Sequence, residues 1–93
     1  MNSLRLIVHG RVQGVGYRDW LAQTARALGV HGWVRNLTDG TVEAVISGRA
    51  GAVQACFAAC HDGPPLAEVI RIESTACDPP DRAIFEKKTT AER

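Results

Sequence analysis

The chain has 93 residues, of which 45% are hydrophobic, 23% charged and only four are proline. This is the composition of one globular domain with its own core, not of a disordered or low-complexity segment. Eleven basic residues against ten acidic ones leave a formal charge of +1, so no overall field draws the protein to nucleic acid or to an anionic membrane, and any anion site must be local.

In chain order, Leu4–His9 is short, apolar and ends at Gly10, which predicts a strand with Leu4, Leu6 and Val8 on one face and a stop at the glycine. From Tyr17, the positions Trp20, Leu21, Thr24, Ala25 and Leu28 recur at helical spacing, and Gly29 supplies a left-handed stop. Gly32–Leu37 and Thr41–Ile46 read as two strands of a hairpin around Asp39-Gly40, a pair that accepts the positive φ of tight turns. Val53, Cys56, Phe57 and Cys60 form the apolar stripe of a second helix, closed by Gly63 and Pro64-Pro65. Ile70–Glu73 alternates as a strand, Ala83–Glu86 offers a last short one, and Thr89–Arg93 reads as a loose tail.

This order predicts an α+β, ferredoxin-like βαββαβ sandwich: a four-stranded antiparallel sheet, two helices on one face and a short extra C-terminal strand. Residues 1–93 are expected to form a single domain. No apolar run approaches the roughly 20 residues of a membrane helix, and the beginning of the chain has neither a secretory nor an import signature. Cys56, Cys60 and Cys77 include no C-x-x-C pair, which points to reduced, buried thiols instead of disulfides or zinc ligands. The expectation is a cytoplasmic monomer with no membrane partner.

Chemistry concentrates in Gly10–Arg18, the link from the first strand to the first helix. Three glycines let backbone N–H groups converge, the first helical turn leaves its donors unpaired, the helix dipole adds positive potential, and Arg18 adds a full charge. Met1 to Arg18 contains three arginines and no carboxylate, so this loop should attract phosphate or sulfate. It is neither a P-loop, which ends in Gly-Lys-Ser/Thr, nor a dinucleotide fingerprint, because Asp19 stands at the third glycine. Asn36, at the end of its strand, offers a donor and an acceptor without charge, which suits holding a water beside an anion as well as bonding its local turn.

Two gapped motifs lie in this order: Gly10-x-Val12-Gln13-Gly14-Val15-Gly16-Tyr17-Arg18, and Gly32-Trp33-Val34-Arg35-Asn36-x-x-Asp39-Gly40-x-Val42-Glu43 closing at Gly48. Together they resemble the paired signatures of the acylphosphatase family, and the resemblance covers Leu4 to about Lys88. It implies a ferredoxin-like fold and hydrolysis of small acyl phosphates to a carboxylate and inorganic phosphate, with no metal and no organic cofactor. Position by position, it places the phosphate-binding arginine on Arg18, the cradle amides on Gln13, Gly14, Val15, Gly16, Tyr17 and Arg18, and the water-orienting asparagine on Asn36. Tyr17 stands where the family more often has phenylalanine, so its hydroxyl needs a partner of its own.

Two other readings compete. An acylphosphatase-like domain that binds anions without turnover would keep the same loop. An RNA-binding module on a similar sheet would need exposed aromatics on two central strands, and the strand Thr41–Ile46 carries none. His9, His31 and His61 are scattered without partner spacing, and Trp20, Trp33, Cys56 and Cys60 read as packing residues. Arg11, placed to screen or steer anions at the loop's entrance, and Arg35, which also reads as a solvated strand residue, rank second.

Overall fold

Alternation along the first strand directs Leu6 and Val8 into the core, and the strand they predict forms as β1, Asn2–Arg11, in a computed structural model that describes residues 2–93. It is followed by α1 (Tyr17–Ala27), β2 (His31–Asn36), β3 (Val42–Gly48), α2 (Ala50–Cys60), β4 (Glu68–Ala76) and β5 (Phe85–Lys87). The two helices stand where their apolar stripes place them. The strands form one sheet in the order β4-β1-β3-β2-β5.

The sheet corrects the expected architecture in one respect. β4, β1, β3 and β2 are mutually antiparallel neighbours, but β5 joins the same sheet parallel to β2, giving five mixed strands instead of four antiparallel strands with an appendage. The register explains the direction. β4 ends beside the start of β1, which is also the end of the sheet where β2 begins. A chain crossing from there to the free side of β2 can only run alongside it in the same sense.

A second correction concerns Gly10, which does not stop β1. Its register against β4 shifts between His9 and Gly10, its φ is 128°, and a Cβ there would lie 2.0 Å from the Glu68 carbonyl oxygen. Glycine therefore permits a bulge that lets β1 run on to Arg11 before the loop. The segment 89–93, expected as a loose tail, lies along the end of β2, where Leu37 and Ala91 form a parallel bridge.

The core lies on one face of the sheet. Leu6, Val8, Val34, Val42, Ala44 and Ile46 pack against Tyr17, Leu21 and Ala25 of α1 and Val53, Cys56 and Cys60 of α2. On the opposite face, Glu43 is 4% exposed and is held by Nε of both Arg5 and Arg35, each at 2.6 Å. Such a carboxylate is tolerable only when paired, so Arg35 serves the sheet and not the anion site.

Tyr17 is 1% exposed, and its hydroxyl donates to the Cys60 carbonyl at 2.7 Å. That carbonyl belongs to the last turn of α2, where no intrahelical donor remains. The extra hydroxyl thus joins the two helices, and burial keeps it protonated by raising its pKa. Replacing Tyr17 by phenylalanine should lower stability by about 1–3 kcal/mol, because a buried acceptor loses its donor. Denaturant melts should show the loss.

Candidate active site

Sheet register brings the two sequence motifs together. Val8 of β1 pairs with Val42 of β3, and Val42 pairs with Asn36 of β2, so the loop leaving β1 emerges beside the end of β2. Gln13 fastens that approach: its side-chain amide donates to the carbonyls of Leu37 and Thr41, each at 2.8 Å. The side chain is thereby committed to bracing the loop against the β2–β3 turn.

Beyond Gln13 the loop turns into α1 through Gly16, which occupies the N-cap position with φ 80° and ψ 20°, a left-handed conformation that only glycine adopts cheaply. Gly16 has no side chain with which to cap the helix, so the first-turn amides keep their donors for an external acceptor. Gly14, Gly16, Tyr17, Arg18 and Asn36 line one cavity of about 110 Å³, together with Val12, Asp19 and Lys87. Gln13 and Val15 are the exceptions among the loop residues, since the Gln13 side chain braces the turn and that of Val15 packs against the core. Gln13 and Val15 are left to contribute through their backbones alone.

Arg18 projects from the first turn of α1, and its Nη1 donates to the Lys88 carbonyl at 2.9 Å. One bond to a carbonyl orients the guanidinium without neutralising it, so the remaining N–H groups keep their charge for an anion. Asp19 and Lys87 are the residues that sequence reasoning missed. An acidic side chain here opposes anion binding, but Lys87 Nζ lies 2.8 Å from Asp19 Oδ1. Hydrogen bonding to Lys87, then its charge, holds the Asp19 carboxyl below the usual aspartate range. The cavity therefore keeps a net positive charge, with Arg18 and Lys87 against Asp19. Two consecutive lysines after a short strand were the only signal for this role, and they read as ordinary solvent-exposed residues.

Changing Lys87 to glutamine should leave Asp19 uncompensated beside a bound anion and weaken phosphate binding by at most about fivefold. Phosphate titrations of Lys87→Gln, alone and combined with Asp19→Asn, test this, and the double variant should recover most of the loss.

A larger concavity, about 400 Å³, lies between Trp33 and residues 78–82. It sets Asp78, Asp81 and Glu86 against Arg82 and Lys88, a net negative lining with no helix terminus, and Trp33 is already engaged by Arg35 and Lys88 at 4.7 and 4.6 Å from the ring centroid. Its chemistry does not favour an anion. His9 and His61 bond Glu73 and the Phe57 carbonyl, away from the loop. Cys56 and Cys60 are buried in the core, where the hydrogen bond to Cys56 and then burial push the Cys60 thiol up and hold it protonated. Among the described residues, no helix is long and apolar enough to cross a membrane.

Comparison with known proteins meets the same motifs. The family model described as Acylphosphatase matches residues 4–87. An acylphosphatase of Acidiphilium cryptum is 50% identical over 90 residues, spanning 97% of this chain and 99% of the relative. One from Thermococcus kodakarensis is 60% identical over 68 residues, covering 73% of this chain and 75% of its own. The crystal structure of the Bacillus subtilis acylphosphatase superposes with a TM-score of 0.88 at 35% identity, covering 95% of this chain and 99% of that one. With both motifs set around one positively charged cavity, in this fold and at this level of identity, the chain belongs to the acylphosphatase family.

Proposed function

We propose that the chain hydrolyses acyl phosphates by binding the phosphoryl group on Arg18 and the amides of Gln13–Arg18, while Asn36 orients the attacking water. Membership of the acylphosphatase family supports the activity itself. The observation that carries the residue assignment is the single cavity shared by the loop, Arg18 and Asn36. All of its groups come from one chain, so a monomer suffices, and residues 1–93 act as one domain.

The arrangement suits this reaction. Arginine presents paired N–H groups to phosphate oxygens, and the converging amides add neutral donors around the same centre. The carboxamide of Asn36 accepts from water through its oxygen and so aims a lone pair at phosphorus. As the water oxygen bonds to phosphorus, the bond from phosphorus to the acyl oxygen breaks, and its electron pair leaves on the carboxylate. The proton of the water passes to a phosphoryl oxygen. A carboxylate leaves readily, so neither a protein base nor a covalent phosphoenzyme is required, and positioning with charge stabilisation carries the rate. At about 110 Å³, the cavity is well below the roughly 300–1,000 Å³ of sites that enclose a whole small molecule. It reads the phosphoryl group and leaves the acyl group in solvent, which predicts tolerance of many acyl groups.

Inorganic phosphate and sulfate present the same oxyanion and should compete with substrate. Phosphate should inhibit benzoyl phosphate hydrolysis competitively, and Arg18→Ala should abolish its binding in isothermal titration. Non-competitive inhibition, or phosphate binding that survives Arg18→Ala, contradicts the assignment.

A further inference from the structure

We infer that residues 88–93 form a positioning strap for the active site, and that the backbone N–H of Ala91 sets the place of Asn36. The inference rests on the roles proposed above for Arg18 and Asn36. β5 itself pairs only with Gly32, Trp33 and Val34, and stops short of the end of β2. The following residues continue the cover. Lys88 N–H donates to the Val34 carbonyl at 2.8 Å, and its own carbonyl receives Arg18 Nη1 at 2.9 Å. Three residues on, Ala91 N–H donates to the Asn36 carbonyl at 3.0 Å, and the Ala91 carbonyl accepts from Thr38 N–H at 3.0 Å. Arg93 then pairs with Asp39 at 3.0 Å. One short segment thus contacts both Arg18 and Asn36, from opposite ends.

The physical consequence falls on Asn36. Its other side is fixed by β3, through the Asn36–Val42 pair, but without Ala91 the last residues of β2 become an open edge at the mouth of a turn. Such ends open locally at little cost in free energy. A water aimed at phosphorus tolerates little of that movement, since displacements near 1 Å remove large factors in rate. The strap therefore acts through Asn36 and touches no reacting atom.

The test compares Ala91→Pro, which deletes the donated N–H, with Ala91→Ser, which retains it. A third variant ends the chain at Thr90, removing every contact to Asn36 and Thr38 while leaving the Lys88 carbonyl as the neutral amide acceptor for Arg18. Each is made in the wild-type and Asn36→Ala backgrounds and assayed on benzoyl phosphate, with circular dichroism to confirm folding. In the wild-type background, Ala91→Pro and the shortened chain should lose about tenfold in kcat with KM nearly unchanged, and Ala91→Ser should behave as wild type. In the Asn36→Ala background, the same changes should cost nothing further, because the residue they position is gone. Equal losses in both backgrounds, a loss confined to KM, or no loss at all overturns the strap. Wild-type turnover by Asn36→Ala alone instead overturns the role of Asn36 on which the strap depends.

Discussion

Asn36→Ala is expected to reduce kcat by about 10²- to 10³-fold, with a much smaller change in KM. The reasoning separates the two halves of the site. In the proposed mechanism the phosphoryl group is bound by Arg18 and the loop, which the substitution leaves intact, so substrate should still bind. The lost group would act on the water, with a contribution that appears only as the water approaches phosphorus. Removing one such preorganised polar group typically costs about 3 kcal/mol of transition-state stabilisation, and an interaction made only in the transition state lowers kcat and kcat/KM together. Asn36→Asp is a sharper variant. It preserves size but places a negative charge against the incoming phosphate, so KM should rise as well. A folded Asn36→Ala with wild-type kcat would remove Asn36 from the mechanism.

Arg18→Ala should be at least as damaging, and Arg18→Lys should not restore it. Arg18 supplies the cavity with a charge that Asp19 does not cancel, since Lys87 occupies that carboxylate. Its guanidinium uses one donor on the Lys88 carbonyl and retains others in a plane for two phosphate oxygens. Lysine presents a point charge and cannot satisfy both demands. Both KM and kcat should suffer, because in the proposed mechanism the arginine meets the phosphate in the ground state and the developing charge in the transition state. The combined loss in kcat/KM should exceed about 10³-fold, and recovery by Arg18→Lys to within tenfold of wild type would contradict a forked contact.

The pH dependence follows from which groups titrate. The pair of Asp19 with Lys87 lowers the aspartate in the folded state. Its contribution to stability is present above the unfolded aspartate value, about pH 4, and is lost as pH falls through the lower folded value. The stability difference between wild type and Asp19→Asn should therefore be constant from neutral pH down to about 5 and shrink below 4. Thermal melts of the two proteins across that range measure it. A difference that grew in acid would mean that Asp19 is not held by Lys87.

Much of the architecture was legible because it is written in local patterns. The helices came from apolar residues at helical spacing, and the hairpin from Asp39-Gly40. Three glycines and Arg18 placed between a strand and a helix could be read as a candidate anion cradle. What could not be read was long-range. The parallel entry of β5 depends on where β4 leaves the sheet, and three residues carry too little pattern to specify a direction. The stop predicted at Gly10 was a bulge, because the same glycine that ends a strand also permits close approach to Glu68. Gln13 counted as a cradle residue by its position, but its side chain was spent on Leu37 and Thr41. The partner of Asp19 came from a residue 68 positions away in the chain, and no local signal announces such a pair.

The most direct test is ultraviolet-monitored hydrolysis of benzoyl phosphate by the purified protein in the presence of a chelator, beside folded Arg18→Ala and Asn36→Ala. The mechanism predicts turnover by wild type that is insensitive to chelator and is lost or nearly lost in both variants. Phosphate binding by folded wild type without turnover would instead mark an anion-binding domain, and wild-type turnover by either variant would place the chemistry elsewhere.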